Sequence, residues 1–153
     1  MRLFLTALLF ACFALPASDP PGFHLWTSSE LKAFSKSLGP KMDAQKVATQ
    51  QLGGHNNYTF SVAHREGSGR AELHQTHADI FFVQSGSATL VYGGSMVNPK
   101  TTEPHEMRAA SITGGIEKKL SAGDVVTIPA KVPHQMKLEP GTEVTYFVVK
   151  VVQ

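Results

Sequence analysis

Glu72-Leu73-His74-Gln75-Thr76-His77-Ala78-Asp79 runs directly into Ile80-Phe81-Phe82-Val83-Gln84-Ser85-Gly86, and the chain later carries Gly123-Asp124-Val125-Val126-Thr127-Ile128-Pro129-Ala130-Lys131-Val132-Pro133-His134. Residues two apart on a strand share a face, so Glu72 and His74 can point into one cavity. A tight turn after His74 would return Asp79 beside it at the start of the next strand. Two imidazoles with one or two carboxylates suit a first-row divalent ion such as manganese, iron, zinc, nickel or copper. Calcium or magnesium would favour an all-oxygen shell. Spacing by itself does not bring His134 to this group, and His74 taken alone reads equally as a surface or hydrogen-bonded histidine.

Outward from these segments the hydrophobic period is two. Tyr58, Phe60 and Val62 alternate with Thr59, Ser61 and Ala63 as in a half-buried strand. Gly67-Ser68-Gly69 marks a turn, Arg70 to His74 a strand, and Ile80 to Val83 a dense apolar one. Ser85-Gly86-Ser87 is read as the reversal of a hairpin into Ala88 to Tyr92. Met96 to Arg108 is polar, holds Pro99 and Pro104, and is expected to be a long loop. Ser111–Thr113, Ile116–Leu120, Asp124–Pro129, His134–Leu138 and Val144–Val152 complete the strands. Many short strands separated by turns specify an all-β sandwich or barrel.

One helix precedes them. Thr27-Ser28-Ser29-Glu30 has the spacing of a capping box. Leu31, Phe34 and Leu38 share a face, Gly39-Pro40 stops the helix, and a weak helical turn is expected around Lys41 to Lys46. His24 and Trp26 are expected to pack the N-terminal arm onto the body.

Residues 1–17 read as a secretory signal peptide: Met1-Arg2, an apolar run from Leu3 to Leu15, then Pro16-Ala17. The run is too short for a span of about 20 residues, and it lacks the periodic polar positions of a core element. Leu9-Phe10-Ala11-Cys12 loosely resembles a lipobox, but Phe10 stands where such boxes prefer a small residue, so secreted or periplasmic release is expected over a lipoprotein anchored through Cys12. No membrane association is expected after cleavage. Residues 18–153 then form one domain large enough to bury a core. Cys12 is the only cysteine, which excludes a disulfide framework, a thiolate metal site and a cysteine nucleophile. Fourteen Lys and Arg against twelve Asp and Glu give a net charge of +2 without a basic cluster, so no nucleic-acid partner is expected. Serine-nucleophile, phosphate-cradling and dinucleotide patterns are absent.

Over about Phe60 to Lys150 the chain resembles the cupin superfamily. In the first cupin motif His74 falls at the second histidine, Asp79 at the glutamate and Gly86 at the closing glycine. In the second motif Gly123, Pro129 and His134 match at the family's intervals. Glu72 replaces the first motif's first histidine, Asp79 is a methylene shorter than glutamate, and the leading glycine is one residue off if counted from Gly67. Lys131 stands where the second motif has glycine, and Leu138 where it has asparagine. The chain is also similar to a subgroup of small bacterial cupins of unassigned function, which would make Glu72 and Asp79 that group's ordinary residues.

The resemblance implies a cupin double-stranded β-helix, a jelly-roll barrel with the short N-terminal helix outside it. It implies a divalent transition metal held by Glu72, His74, Asp79 and His134, with His77 as a substitute for Glu72 if the turn folds inward. The function implied is that of an exported metal-dependent cupin binding a small molecule, an enzyme of dioxygenase or isomerase type. The rival reading is a non-catalytic ligand-binding cupin, for example sugar-binding, with a degenerate or absent metal site. A homodimer is left open, since family members often pair barrels. His64 continues the Tyr58-Phe60-Val62 face but reads first as a strand-end surface histidine, and His55 and His105 read as exposed. Arg65, Arg70 and Arg108 offer anion binding but read first as surface charges. Tyr58, Phe60, Phe82 and Met136 are either pocket lining or barrel filling.

Overall fold

Thr27 caps the N-terminal helix in the way its spacing predicts. Its Oγ1 accepts from the Glu30 amide at 3.3 Å, and the Glu30 carboxylate accepts from the Thr27 amide at 2.8 Å. The computed structural model describes residues 18–153; the signal peptide read into 1–17, with Cys12, lies outside the described residues. Helix α1 spans Ser28–Leu38, and Leu31, Phe34 and Leu38 pack with Trp26 on Val62 and Phe147. The helical turn expected around Lys41 to Lys46 lies instead at Gly39–Lys41. The Asp43 carboxylate accepts from the amides of Gln45 and Val47. That local bonding offers the backbone an alternative to helix and turns it into the first strand.

Twelve strands follow among the described residues: β1 Val47–His55, β2 Tyr58–Arg65, β3 Ala71–His74, β4 His77–Tyr92, β5 Ser95–Met96, β6 Lys100–Glu103, β7 Glu106–Ala109, β8 Ile112–Thr113, β9 Ile116–Ser121, β10 Val125–Ile128, β11 His134–Lys137 and β12 Val144–Val152. All pairings are antiparallel. One sheet has the order β1-β2-β12-β4-β10, the other β9-β4-β11-β3-β7-β6, and β5 pairs with β8 apart from both. The sheets curl face to face, and Phe81, Val83, Leu90, Leu120, Ile128, Met136, Tyr146 and Val148 fill the space between them.

The two sheets share β4, which corrects the hairpin expected at Ser85-Gly86-Ser87. Residues 77–86 of this strand pair with β12, and residues 87–92 pair with β9, with no reversal between them. Gly86 has φ +73, and the β12 ladder slips by a residue beside it, between Thr145 and Tyr146. A side chain at Gly86 would collide with the Glu143 carbonyl. The glycine therefore bends one strand from sheet to sheet rather than turning it back.

Two further expectations change. The long loop at 96–108 contains the hairpin β6–β7, whose turn carries His105 at φ +65. The Tyr58-Phe60-Val62-His64 face also lies outside the barrel, under α1 and the N-terminal arm. There Trp26 packs on Phe60 and Phe147 at ring separations of 4.9 and 5.2 Å and stacks on His24. The inward face of β2 is the other one: Ser61, Ala63 and Arg65.

Candidate metal centre

Strand geometry assembles the site from four directions. Glu72 and His74 share the inward face of β3, and β7 places Arg108 opposite Glu72 and Glu106 opposite His74. His134, at the start of β11, pairs with Glu72. Asp79 lies on β4, with Lys150 of β12 directly across from it. Loop geometry ties the two motif segments together. Pro129 to Val132 forms a turn closed by Val132 N to Pro129 O, and Lys131 within it has φ +66 and donates its amide to His74 O at 2.7 Å. A lysine thus holds the left-handed position that a type II turn normally gives to glycine.

The four residues singled out in the sequence meet here. Donor atoms of Glu72, His74 and His134 lie within 4.8 Å of one another. Asp79 Oδ2 is 3.1 Å from His74 Nε2 and 3.5 Å from His134 Nε2, and His74 Nε2 is 3.6 Å from Glu72 Oε2. His74, Asp79 and His134 are buried, and Glu72 is half-buried toward the mouth. His77 does not join them; its Nδ1 bonds Thr76 Oγ1 at 3.1 Å.

The far sides of the imidazoles define their near sides. His134 Nδ1 lies 3.1 Å from the Val132 carbonyl, which can only accept, so Nδ1 carries the proton. His74 Nδ1 lies 2.6 Å from Glu106 Oε2 and donates to it in the same way. In the neutral rings both Nε2 lone pairs then face the Asp79 carboxylate. Acceptors facing a carboxylate require a proton or a cation between them. His134 Nε2 and Asp79 Oδ1 are in fact buried without a hydrogen-bond partner. An outer carboxylate or carbonyl that fixes the histidine tautomer is a recurrent feature of metal-binding imidazoles, and two imidazoles with a carboxylate suit a first-row ion. The donor set therefore fits a divalent transition metal.

Electrostatics agree with a centre that attracts positive charge. Burial works against ionised Asp79, but the close approach of the His134 and His74 rings and the charge of Lys150 outweigh it and hold the carboxyl well below the usual range. Burial likewise opposes the His74 cation, yet the hydrogen bond and charge of Asp79 raise its pKa. One cation of the protein's own reaches this point. Lys150 Nζ lies 3.0 Å from His74 Nε2 and 3.3 Å from Asp79 Oδ1. The sequence reading passed over Lys150, although Tyr146, Val148 and Lys150 alternate inward on β12.

The centre opens on a cavity of about 270 Å³, whose wall includes Thr49, Gln51, Ser61, Arg65, Arg108 and Lys150. Arg65 and Arg108 thus line the site rather than the outer surface, whereas Arg70 is exposed. Burial disfavours the Arg65 charge, but Tyr146 and Glu72 beside it more than restore it. Of the aromatic and apolar candidates, Met136 lines the cavity; Phe82 lies outside the barrel beside Phe147. His64 is buried, bonding Thr145 Oγ1 at 2.8 Å on the outer face, and His55 is half-buried against Tyr58, while His105 is exposed as expected.

Solved structures with the same architecture are similar to this chain. A cupin 2 conserved barrel domain protein from Rhodopseudomonas palustris is 18% identical with a TM-score of 0.50, covering 70% of this chain and 61% of its own. A predicted oxalate decarboxylase from Thermotoga maritima is 16% identical with a TM-score of 0.52, covering 70% and 81%. The fold is the cupin barrel. The polyketide cyclase RemF from Streptomyces resistomycificus shares this architecture at 18% identity and a TM-score of 0.50, covering 72% of this chain and 68% of its own. No protein-family model matches the sequence, and no curated protein does.

Proposed function

We propose that this cupin is an exported protein that holds a divalent transition metal with His74, His134, Asp79 and Glu72 and acts on a small molecule in the adjoining cavity, as an enzyme of dioxygenase or isomerase type. The observation that carries the reading is the fixed direction of the two imidazoles. Glu106 and the Val132 carbonyl take the Nδ1 protons, leaving both Nε2 atoms aimed at Asp79. A bound ion would supply Lewis acidity and an open position for a substrate oxygen. The chain's own groups do the rest. Glu106 and the Val132 carbonyl keep the imidazoles oriented, and Phe81, Met136 and Val148 give the cavity an apolar floor.

A second reading rests on Lys150. Its ammonium already meets two of the four residues, so a cupin with a tethered amine in place of an ion, binding a ligand without turning it over, is the alternative. Elemental analysis of the purified protein beside a His74→Ala/His134→Ala double variant separates the two. The metal reading expects about one equivalent of metal in the parent and none in a still-folded variant. No metal in the parent, after incubation with manganese, iron, zinc, nickel and copper in turn, would leave the binding reading in place.

A further inference from the structure

We propose that the ligand of this cavity is a small carboxylate, and that Arg65 and Arg108 receive it at the cavity mouth. The inference rests on the reading of the cavity as the ligand site, and it does not require the metal.

Three residues, Arg65, Glu72 and Arg108, line both the cavity and the shallow outer depression formed with Asp43, Ser68 and Gly69. They stand between the metal centre and solvent, on the route a ligand takes. The two guanidinium groups converge there from different sheets, Arg65 from β2 and Arg108 from β7. Their donors are largely unspent. Arg65 uses Nε on the Tyr146 hydroxyl at 2.8 Å, and its NH2 stays 3.7 Å from Glu72 Oε1, beyond hydrogen-bond length. Arg108 uses NH1 on Glu106 Oε2 and the Met107 carbonyl, while its NH2 lies 3.5 Å from Glu72 Oε2 without making a hydrogen bond. Among the described residues, both NH2 groups thus meet only the Glu72 carboxylate, as ion pairs at 3.7 and 3.5 Å rather than as hydrogen bonds. The backbone makes room for this: a Cβ at Gly69 would lie 2.9 Å from Arg65 NH1.

Charge points the same way. The cavity wall carries three cations, Arg65, Arg108 and Lys150, against the two carboxylates Glu72 and Asp79, while a third carboxylate, Glu106, lies behind the wall bonded to Arg108 and His74. Any divalent ion at the centre would add to that excess. A paired guanidinium fork matches a carboxylate in plane and spacing where an ammonium would not. Volume sets the size. About 270 Å³ equals roughly nine waters at liquid density, room for an acid of a few carbons and too little for a lipid or an oligosaccharide. Thr49, Gln51 and Ser61, on β1 and β2 along the same wall as Arg65, offer neutral hydrogen bonds to the remainder of such a molecule.

Calorimetric titration of the full protein with succinate and with its neutral diamide, succinamide, tests the proposal, in metal-stripped and metal-loaded protein. Succinate is expected to bind in both states and succinamide in neither. Arg108→Gln should weaken succinate about tenfold or more, with an unchanged melting temperature as the check on folding. Arg65→Lys keeps the buried charge and the fold but not the fork, and should weaken it as well. Equal affinity for acid and amide would overturn the proposal, as would the absence of succinate binding. Succinate binding that needs metal and ignores both arginine variants would overturn it while leaving the metal reading intact. Binding to a protein that never takes up metal would sustain it and overturn the metal reading instead.

Discussion

Replacing Lys150 by methionine removes the one ammonium that, among the described residues, reaches the candidate metal centre, while keeping a chain of similar length. Opposite unit charges 3.3 Å apart, the Lys150–Asp79 separation, attract by about 5 kcal/mol at an effective dielectric constant of about 20. The lysine side chain is 29% exposed, so solvent screening reduces that to about 2 kcal/mol. An entering divalent ion must displace this contact, and the variant spares it that cost. Lys150→Met is therefore expected to bind zinc about 30-fold more tightly than the parent, measured by competition with a chromophoric chelator. The metal-free variant should also be less stable, by about 2–3 kcal/mol in urea melts, because Asp79 loses its buried countercharge. Zinc should restore the difference. Unchanged or weaker zinc affinity in a folded Lys150→Met protein would refute the idea that the lysine and the ion contend for one place.

Metal-free protein should lose stability as pH falls below the ordinary aspartate range near 3.8, because Asp79 stays ionised in the fold while the unfolded chain takes up a proton there. Asp79→Asn should flatten the fall of the urea midpoint between about pH 4 and pH 2, and equal slopes would contradict the assignment. Lys131→Gly should stabilise the protein by about 0.5–1 kcal/mol, since it relieves a left-handed lysine; a lower melting temperature would show that the lysine side chain contributes more than its backbone costs. Gly86→Ala should destabilise by about 3 kcal/mol or more, combining positive φ with a collision at the Glu143 carbonyl. Thermal melts that leave it near the parent would mean β4 can bend without glycine.

What could be read from the chain was local or carried by spacing. Thr27 and Glu30 announce their helix within four residues, and the intervals among His74, Asp79, Gly86, Pro129 and His134 point to the barrel. The misread places share a physical cause: one residue type serves two geometries. A glycine between serines permits positive φ, and positive φ serves a bend within a strand as well as a reversal. Lys100–Glu103 is exposed along its whole length, so β6 carries no apolar alternation to mark it. Arg65 and Lys150 were legible in principle by parity, because each is two residues from an inward small or apolar neighbour, Ala63 and Val148. Composition argues the other way for a charged side chain, since buried cations are rare unless paired. Parity also could not say which face of β2 is inward: the more apolar face, Phe60 and Val62, meets α1 instead.

Strand β12 lies between β2 and β4, yet it follows every other strand of the barrel in sequence. A chain folding in order of synthesis can close β1 on β2 and β9 on β4 by short-range pairing, but β2 and β4 have no ladder to each other until their spacer arrives. Arg65 on one strand and Asp79 on the other are brought to one site by that insertion, and Lys150 comes with the inserting strand itself. Assembly of the centre should thus coincide with the last, longest-range step of folding rather than precede it. Truncations that remove β12 are expected to abolish the site outright instead of weakening it by degrees.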